Sequence, residues 1–120
     1  MKASDLMLGD LVRWFGNLCK VDLPFLITEF SHRDESNNVE PIPLTDEILE
    51  KNGFIEDDND DCWGDADCYF SPHYIDKKIN SWEATIEPTS GRGDFNGNLT
   101  YIHELQHALR LCGIEKKIIL

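Results

Sequence analysis

The order of hydrophobic and polar residues predicts that the chain begins with short strands. Residues 11–15, 18–21 and 25–30 are apolar or β-branched runs, and they are separated by turn residues at 16–17 and 22–24. Such short runs between turn signals are typical of antiparallel strands. We therefore predict a small, strongly bent antiparallel sheet with a tendency towards an SH3-like barrel at this end of the chain.

A short helix is predicted at residues 45–52. Thr45 is a favourable N-cap, and the residues after it place two carboxylates in the first turn, where they favour the helix dipole. Leu44 and Leu49 have the spacing of a hydrophobic staple. Gly53 suits the left-handed stop, and Phe54 can then fold back onto the helix. These signals indicate a structural helix in the middle of the chain.

The second half of the sequence predicts more strands and a final helix. Residues 69–70 and 79–86 have strand character, and Trp82, Ala84 and Ile86 alternate onto one side. Residues 88–98 are rich in Gly, Asn and Ser and predict a loop. The last helix should run from about residue 101 to 111 and stop at Gly113, with a further edge strand at 118–120. The prediction is a single α+β domain over residues 1–120.

Composition supports one buried core and an intracellular location. At 120 residues and 41% hydrophobic, with three Trp and six Phe, the chain has enough apolar material for a core. No signal peptide or membrane-spanning stretch is recognisable, so we expect a cytoplasmic protein without a membrane partner. The four cysteines, Cys19, Cys62, Cys68 and Cys112, are then expected to be reduced thiols.

The formal net charge of −12 is concentrated in one third of the sequence. Residues 29–67 contain 14 acidic and two basic residues. Such a surface repels phosphate groups, so direct nucleic-acid binding is not expected. The simplest interpretation is a solvated acidic loop that keeps the protein soluble. Binding of a basic protein, binding of a cation and mimicry of a DNA backbone are the alternatives.

One sequence motif indicates a specific chemistry. His103-Glu104-Leu105-Gln106-His107 matches the H-E-x-x-H pattern of zinc proteases, in which two histidines bind zinc and the glutamate is the general base. A helical projection places His103 and His107 opposite the apolar stripe of the last helix, facing away from the core. No spacing selects a third ligand among His73, Asp65, Asp67, Cys62 and Cys68. The motif is therefore interpreted as a chance match, and no cofactor is expected, with zinc as the alternative.

Three segments resemble a known protein family. They are Leu6-Met7-Leu8-Gly9-Asp10-Leu11-Val12, the stretch from Pro41 through Thr45 to Phe54, and Tyr101-Ile102-His103-Glu104-Leu105-Gln106-His107. Together they are similar to a family of small uncharacterised proteins from gut bacteria, their phages and mobile elements. In that family the last helix often reads His-Gln-Leu-Gln-Asn. The resemblance therefore implies no protease activity, because the positions of Glu104 and His107 would lack the base and the second ligand.

These observations leave three functional hypotheses. The first is a non-enzymatic accessory or interaction protein of a phage or mobile element, which binds another protein, of basic character, through its acidic surface. The second is a small zinc-dependent hydrolase, with His103 and His107 as metal ligands and Glu104 as base. The third is an acidic mimic of nucleic acid. The sequence favours a protein that is not an enzyme.

Overall fold

The computed structural model describes residues 1–57, 61–88 and 93–120, and it confirms the predicted α+β class. Within these ranges, three α-helices and eight strands form two antiparallel sheets, and neither sheet closes into a barrel. The chain divides into two compact units, Met1–Pro43 and Leu44–Leu120; a single domain over the whole chain stays a prediction. In the described part of the chain, no helix is long and apolar enough to cross a membrane.

The first unit is a three-stranded sheet with one helix. Its elements are a 3-10 turn (Ala3–Asp5), β1 (Leu11–Trp14), β2 (Asn17–Lys20), α1 (Leu23–Phe30) and β3 (Val39–Pro41). The strands are antiparallel in the order β2-β1-β3. Phe15 and Gly16 both have positive φ angles, as the tight turn of a two-residue hairpin requires. The core of the unit contains Val12, Val21, Phe25 and Val39.

The predicted strand at residues 25–30 is wrong, because these residues belong to α1. Asp22 is the N-cap, and its side chain accepts a hydrogen bond from the Phe25 amide at 2.8 Å. Pro24 lies in the first turn, where its missing amide hydrogen costs nothing. Phe25 and Glu29, four residues apart, are both buried. The side-chain cap and the helical spacing of the buried residues outweigh the largely apolar, strand-like composition of this segment.

The second unit is a five-stranded antiparallel sheet with two helices. In chain order its elements are α2 (Asp46–Lys51), β4 (Ile55–Asp57), β5 (Cys62–Gly64), β6 (Cys68–Ile75), β7 (Lys78–Ile86), β8 (Phe95–Leu99) and α3 (Ile102–Leu111). Each strand pairs with the next one along the sequence, in the order β4-β5-β6-β7-β8. The helix α2 packs next to β4 and β5, and α3 packs next to β8.

One face of the five-stranded sheet forms the core of the second unit. Trp63 and Trp82 pack edge to face with ring centroids 5.3 Å apart, and Phe54 and Phe70 do so at 4.9 Å. The buried strand residues on this face are Trp63, Cys68, Phe70, Trp82, Ala84, Ile86 and Leu99. The predicted alternation along β7 is therefore confirmed.

The two predicted helices of this unit are confirmed. Thr45 caps α2, with its side chain accepting a hydrogen bond from the Ile48 amide at 3.3 Å. Gly53 has a φ of +87°, and the Phe54 amide donates to the Leu49 carbonyl at 3.0 Å, which closes the helix end as expected. The last helix, α3, ends before Gly113, whose φ of +75° is also left-handed.

Two other predictions in this unit are wrong. Within the predicted loop at 88–98, residues 95–98 belong to β8, and residues 89–92 lie outside the described ranges. Pairing with β7 compensates for the Asn and Gly residues of β8, since Phe95 lies opposite Ile86 and Leu99 opposite Trp82. Residues 118–120 form no strand.

Candidate functional site

The helix α3 carries the His-Glu-Leu-Gln-His motif. Tyr101 is the N-cap of the helix, and its ring stacks on His103 with centroids 5.9 Å apart and an interplanar angle of 11°. His107 lies one turn further along, and its ring meets His103 edge to face at 5.6 Å. The fold therefore does bring the two predicted ligands next to each other.

The predicted orientation of His103 away from the protein interior is wrong. His103 is only 6% exposed, and Gln106 on the same side of the helix is also buried, while His107 is half-buried. Nδ1 of His103 is buried and makes no hydrogen bond within residues 1–57, 61–88 and 93–120, although the ring contacts Tyr101 and His107. The helix is thus covered on more than its apolar stripe.

Glu104 has a structural task at the start of α3. Its Oε1 atom accepts hydrogen bonds from the backbone amides of Thr100 at 3.0 Å and Tyr101 at 2.9 Å. This is the third-position carboxylate of a capping box, which satisfies amides at the helix N-terminus. A general base must instead face a metal-bound water. The carboxylate proposed as the base is therefore held at the helix end.

The other candidate metal ligands do not gather around the two histidines. His73 is more than half exposed, and its Nε2 atom lies 3.3 Å from a Glu83 carboxylate oxygen. Asp65 closes a turn by accepting the amides of Asp67 and Cys68. In the described ranges, no three His, Cys, Asp or Glu side chains are close enough to hold one metal ion. A catalytic zinc site uses three protein ligands, so the described donors do not complete one.

Substitutions of Glu104 separate a capping role from a catalytic one. Glu104→Ala should lower the free energy of unfolding by about 1 kcal/mol, because two helix N-terminal amides lose their acceptor. Glu104→Gln keeps an oxygen acceptor and should change it by less than about 0.5 kcal/mol. Urea denaturation followed by far-UV circular dichroism measures both values.

Glu115→Ala is the control, since this exposed carboxylate lies beyond the helix end. Equal losses for Glu104→Ala and Glu104→Gln would contradict the capping role. The zinc alternative is tested in the same preparations by mass spectrometry of untagged protein, beside His103→Ala and His107→Ala. About one zinc per chain that is lost in both variants would support the histidines as ligands.

A second candidate site is the acidic patch, which we define as Asp46, Glu56 and Asp61 around Tyr74. Tyr74 lies near the end of β6 and is 51% exposed. Its hydroxyl donates a hydrogen bond to the Asp61 carboxylate at 2.8 Å. Asp46 opens α2 and Glu56 lies in β4, so the three carboxylates come from three separate segments.

The surroundings of Tyr74 raise the pKa of its phenol. The hydrogen bond to Asp61 is the largest cause that raises the pKa of Tyr74, and partial burial follows. The negative charges of Asp61, Asp46 and Glu56 raise the pKa further, since nearby carboxylates oppose formation of a phenolate. Like an ordinary tyrosine, Tyr74 is protonated at neutral pH, and its hydroxyl donates to Asp61.

The acidic segment is thus not the loop that composition suggested. Residues 29–67 contain the end of α1 and the whole of β3, α2, β4 and β5, and residues 58–60 lie outside the described ranges. Tyr74 lies outside residues 29–67 in the sequence. Folding brings it next to carboxylates of that acidic segment. The sequence contains no local signal for this contact, because it depends on the pairing of β5 with β6.

Comparison with models of protein families, with curated proteins and with solved structures found no match to this chain. The site must therefore be interpreted from its own chemistry.

Two cysteines of the second unit, Cys62 and Cys68, lie on its sheet. Burial, followed by the charges of Asp65 and Asp67, raises the pKa of the Cys68 thiol to about 12. Cys62 lies on the opposite face of the sheet, where its sulfur is 2.8 Å from the Tyr69 hydroxyl. No disulfide joins any of the four cysteines, all of which are in the described ranges. A thiol with a raised pKa is a poor nucleophile at neutral pH.

Proposed function

We propose that this chain is a non-enzymatic interaction protein that binds a basic protein partner through the acidic patch. The observation that carries this proposal is the hydrogen bond from the exposed Tyr74 to Asp61, beside Asp46 and Glu56, whose charges help to raise the pKa of Tyr74. The resemblance of three sequence segments to phage and mobile-element proteins suggests an accessory role in such an element.

The patch has the composition of a recognition surface for Lys and Arg. Tyrosine is enriched at protein interfaces, since it supplies a large rigid surface with a polar end. The hydrogen bond from Tyr74 to Asp61 holds the phenol beside a carboxylate, so an incoming guanidinium meets an oriented pair. A ring of this kind also attracts cations through its face.

The strand β4 extends this surface. It lies at the edge of the sheet, pairs with β5, and carries the exposed residues Ile55, Glu56 and Asp57. Ile55 is 77% exposed and offers an apolar contact beside the carboxylates. An edge strand also offers backbone donors and acceptors to an extended partner segment. We therefore infer that the partner presents an extended Lys- or Arg-rich segment.

The proposal is tested with a decalysine peptide and two matched triple variants. Asp46→Asn/Glu56→Gln/Asp61→Asn neutralises the patch, while Asp34→Asn/Glu40→Gln/Glu87→Gln removes three exposed carboxylates elsewhere. We expect the patch variant to bind the peptide about tenfold more weakly or worse, and the control to change by less than about twofold. Isothermal titration calorimetry at several salt concentrations gives the affinities.

Equal weakening in both triple variants would contradict the proposal, because net charge alone would then explain peptide binding. Chemical shifts of the backbone amides provide the second measurement. Under the proposal, the largest shifts on peptide addition lie in β4 and around Tyr74. Shifts spread evenly over all acidic segments would also argue against a defined site.

A further inference from the structure

A cavity at the end of α3 has a charge opposite to that of the chain as a whole. It has a volume of about 630 Å³ and is lined by Arg110, Gly113, Ile114, Glu115, Lys116 and Lys117. Three of the chain's 11 Lys and Arg residues therefore line one cavity, beside a single carboxylate, although the chain has a net charge of −12. Volumes of this size are typical of small-ligand sites.

The lysines lie on the segment that follows α3. Hydrogen bonds at the C-terminus of α3 fix the beginning of this segment. The Gly113 amide donates to the Arg110 carbonyl at 3.0 Å, and the Ile114 amide donates to the Leu109 carbonyl at 2.9 Å. The positive φ of Gly113 allows this arrangement. These bonds satisfy the carbonyls of Leu109 and Arg110 in the last turn of the helix.

The second end of the segment is held by the side chain of Asn52. This buried amide donates from Nδ2 to the Ile119 carbonyl at 2.8 Å and accepts from the Ile119 amide at 2.7 Å. The same Nδ2 also donates to the carbonyl of Ile48 in α2. Asn52 thus binds the backbone of residue 119 as a neighbouring strand would, and Ile118 beside it is buried. The segment 113–119 is anchored on both sides.

One of the cations is also positioned by an aromatic ring. The Lys116 Nζ atom lies 4.7 Å from the centroid of the Phe54 ring, a cation–π contact. Positioning a lysine in this way lowers the entropy that it loses when a ligand binds. Arg110 adds a planar guanidinium that can bind two oxygens of one anion at once.

We propose that this cavity binds a phosphate-bearing small molecule. The lining contains three cations and one carboxylate, a composition that suits a negatively charged ligand group. Phosphate and pyrophosphate groups present several oxygens to a guanidinium and to ammonium groups, and Ile114 offers an apolar contact to the remainder of the ligand. This site is separate from the acidic patch and does not depend on it.

Inorganic pyrophosphate is the probe that tests this inference. We expect saturable binding to the full chain by calorimetry, and Lys116→Gln/Lys117→Gln should weaken it by about tenfold or more, because two charge-assisted contacts are lost. The matched control is Lys77→Gln/Lys78→Gln at the turn between β6 and β7, which removes the same charge and should change the affinity by less than about twofold. Lys117→Gln alone, at an exposed side chain, gives a loss that cannot be attributed to the Phe54 contact.

Vesicles that contain phosphatidic acid form a second arm, since a lipid headgroup offers the same chemistry. Binding of pyrophosphate without binding of vesicles supports a soluble ligand, and binding of both with the same dependence on Lys116 and Lys117 supports a headgroup. Absence of saturable binding of either probe would overturn the proposal. Equal losses in the two double lysine variants would also overturn it, because the cavity would then contribute nothing beyond net charge.

Discussion

Replacing Trp82 with alanine is expected to destabilise the Leu44–Leu120 unit by about 3 to 5 kcal/mol. Trp82 has no exposed surface and packs edge to face on Trp63. Its Nε1 atom donates a hydrogen bond to the Leu44 carbonyl at 2.9 Å, just before the cap of α2. The substitution removes both the largest buried side chain of this core and the contact that ties β7 to the start of the helix. Urea denaturation followed by far-UV circular dichroism measures the loss.

Two further variants separate the hydrogen bond of Trp82 from its packing and provide an exposed control. Trp82→Phe retains most of the packing but leaves the Leu44 carbonyl without this donor, and should cost about 1 to 3 kcal/mol. Leu111→Ala, at a side chain that is 66% exposed on α3, should change the free energy of unfolding by less than about 0.5 kcal/mol. A loss below about 1 kcal/mol for Trp82→Ala would contradict the packing described for this sheet.

Replacing Glu29 with alanine should destabilise the Met1–Pro43 unit by about 2 to 4 kcal/mol, since buried donors would lose their acceptor. The carboxylate is 5% exposed and accepts hydrogen bonds from Trp14 Nε1 at 2.9 Å, from Asn38 Nδ2 at 3.1 Å and from the Ser36 hydroxyl. It joins β1, α1 and the segment before β3. Fluorescence of Trp14, isolated by replacing the other two tryptophans with phenylalanine, follows the unfolding of this unit.

The same carboxylate makes the stability of this unit depend on pH. The hydrogen bond from Ser36 is the main cause that lowers the pKa of Glu29, with Trp14, Asn38 and the charge of Arg33 acting in the same direction and burial opposing them. The unfolded carboxyl titrates near pH 4.3, so this stabilisation is fully present above about that pH and is lost as the pH falls through the lower folded pKa.

Glu29→Gln isolates that contribution, because it keeps the size of the side chain and removes the titration. The difference in unfolding free energy between the wild type and Glu29→Gln should shrink as the pH is lowered from about 5 to about 3. A difference that stays constant over this range would mean that the Glu29 pKa is not lowered by folding. Asp34→Asn, at an exposed carboxylate of the same unit, is the control.

The sequence predicted those elements whose signals are local. Thr45, Gly53 and Gly113 mark the ends of α2 and α3 through short-range backbone chemistry, and alternation along β7 reports burial on one face. The strand β8 was missed because its Asn and Gly residues form a strand only through pairing with β7. Residues 22–24 were predicted as a turn before an apolar strand, whereas Asp22 is the N-cap of α1.

The candidate sites were harder to predict for a related reason. A helical projection predicts on which side of α3 the His103 side chain lies, but not which residues cover that side. The ring of Tyr101 stacks on His103, on the side of the helix that was predicted to face away from the core. The contact between Asn52 and Ile119 joins residues 67 positions apart, and the acidic patch joins α2, β4 and β6. Such contacts follow from strand order and packing, and no local residue pattern encodes them.

The position of Glu56 and Asp57 on β4 also bears on how copies of this protein behave towards one another. An edge strand with an exposed isoleucine can pair with a strand of another molecule, which leads to aggregation. Negative charges on that edge repel the same edge of a second copy. The carboxylates that we propose for recognition of a basic partner therefore also act as gatekeepers, and a cation-rich segment can pair with this edge where a second copy is repelled.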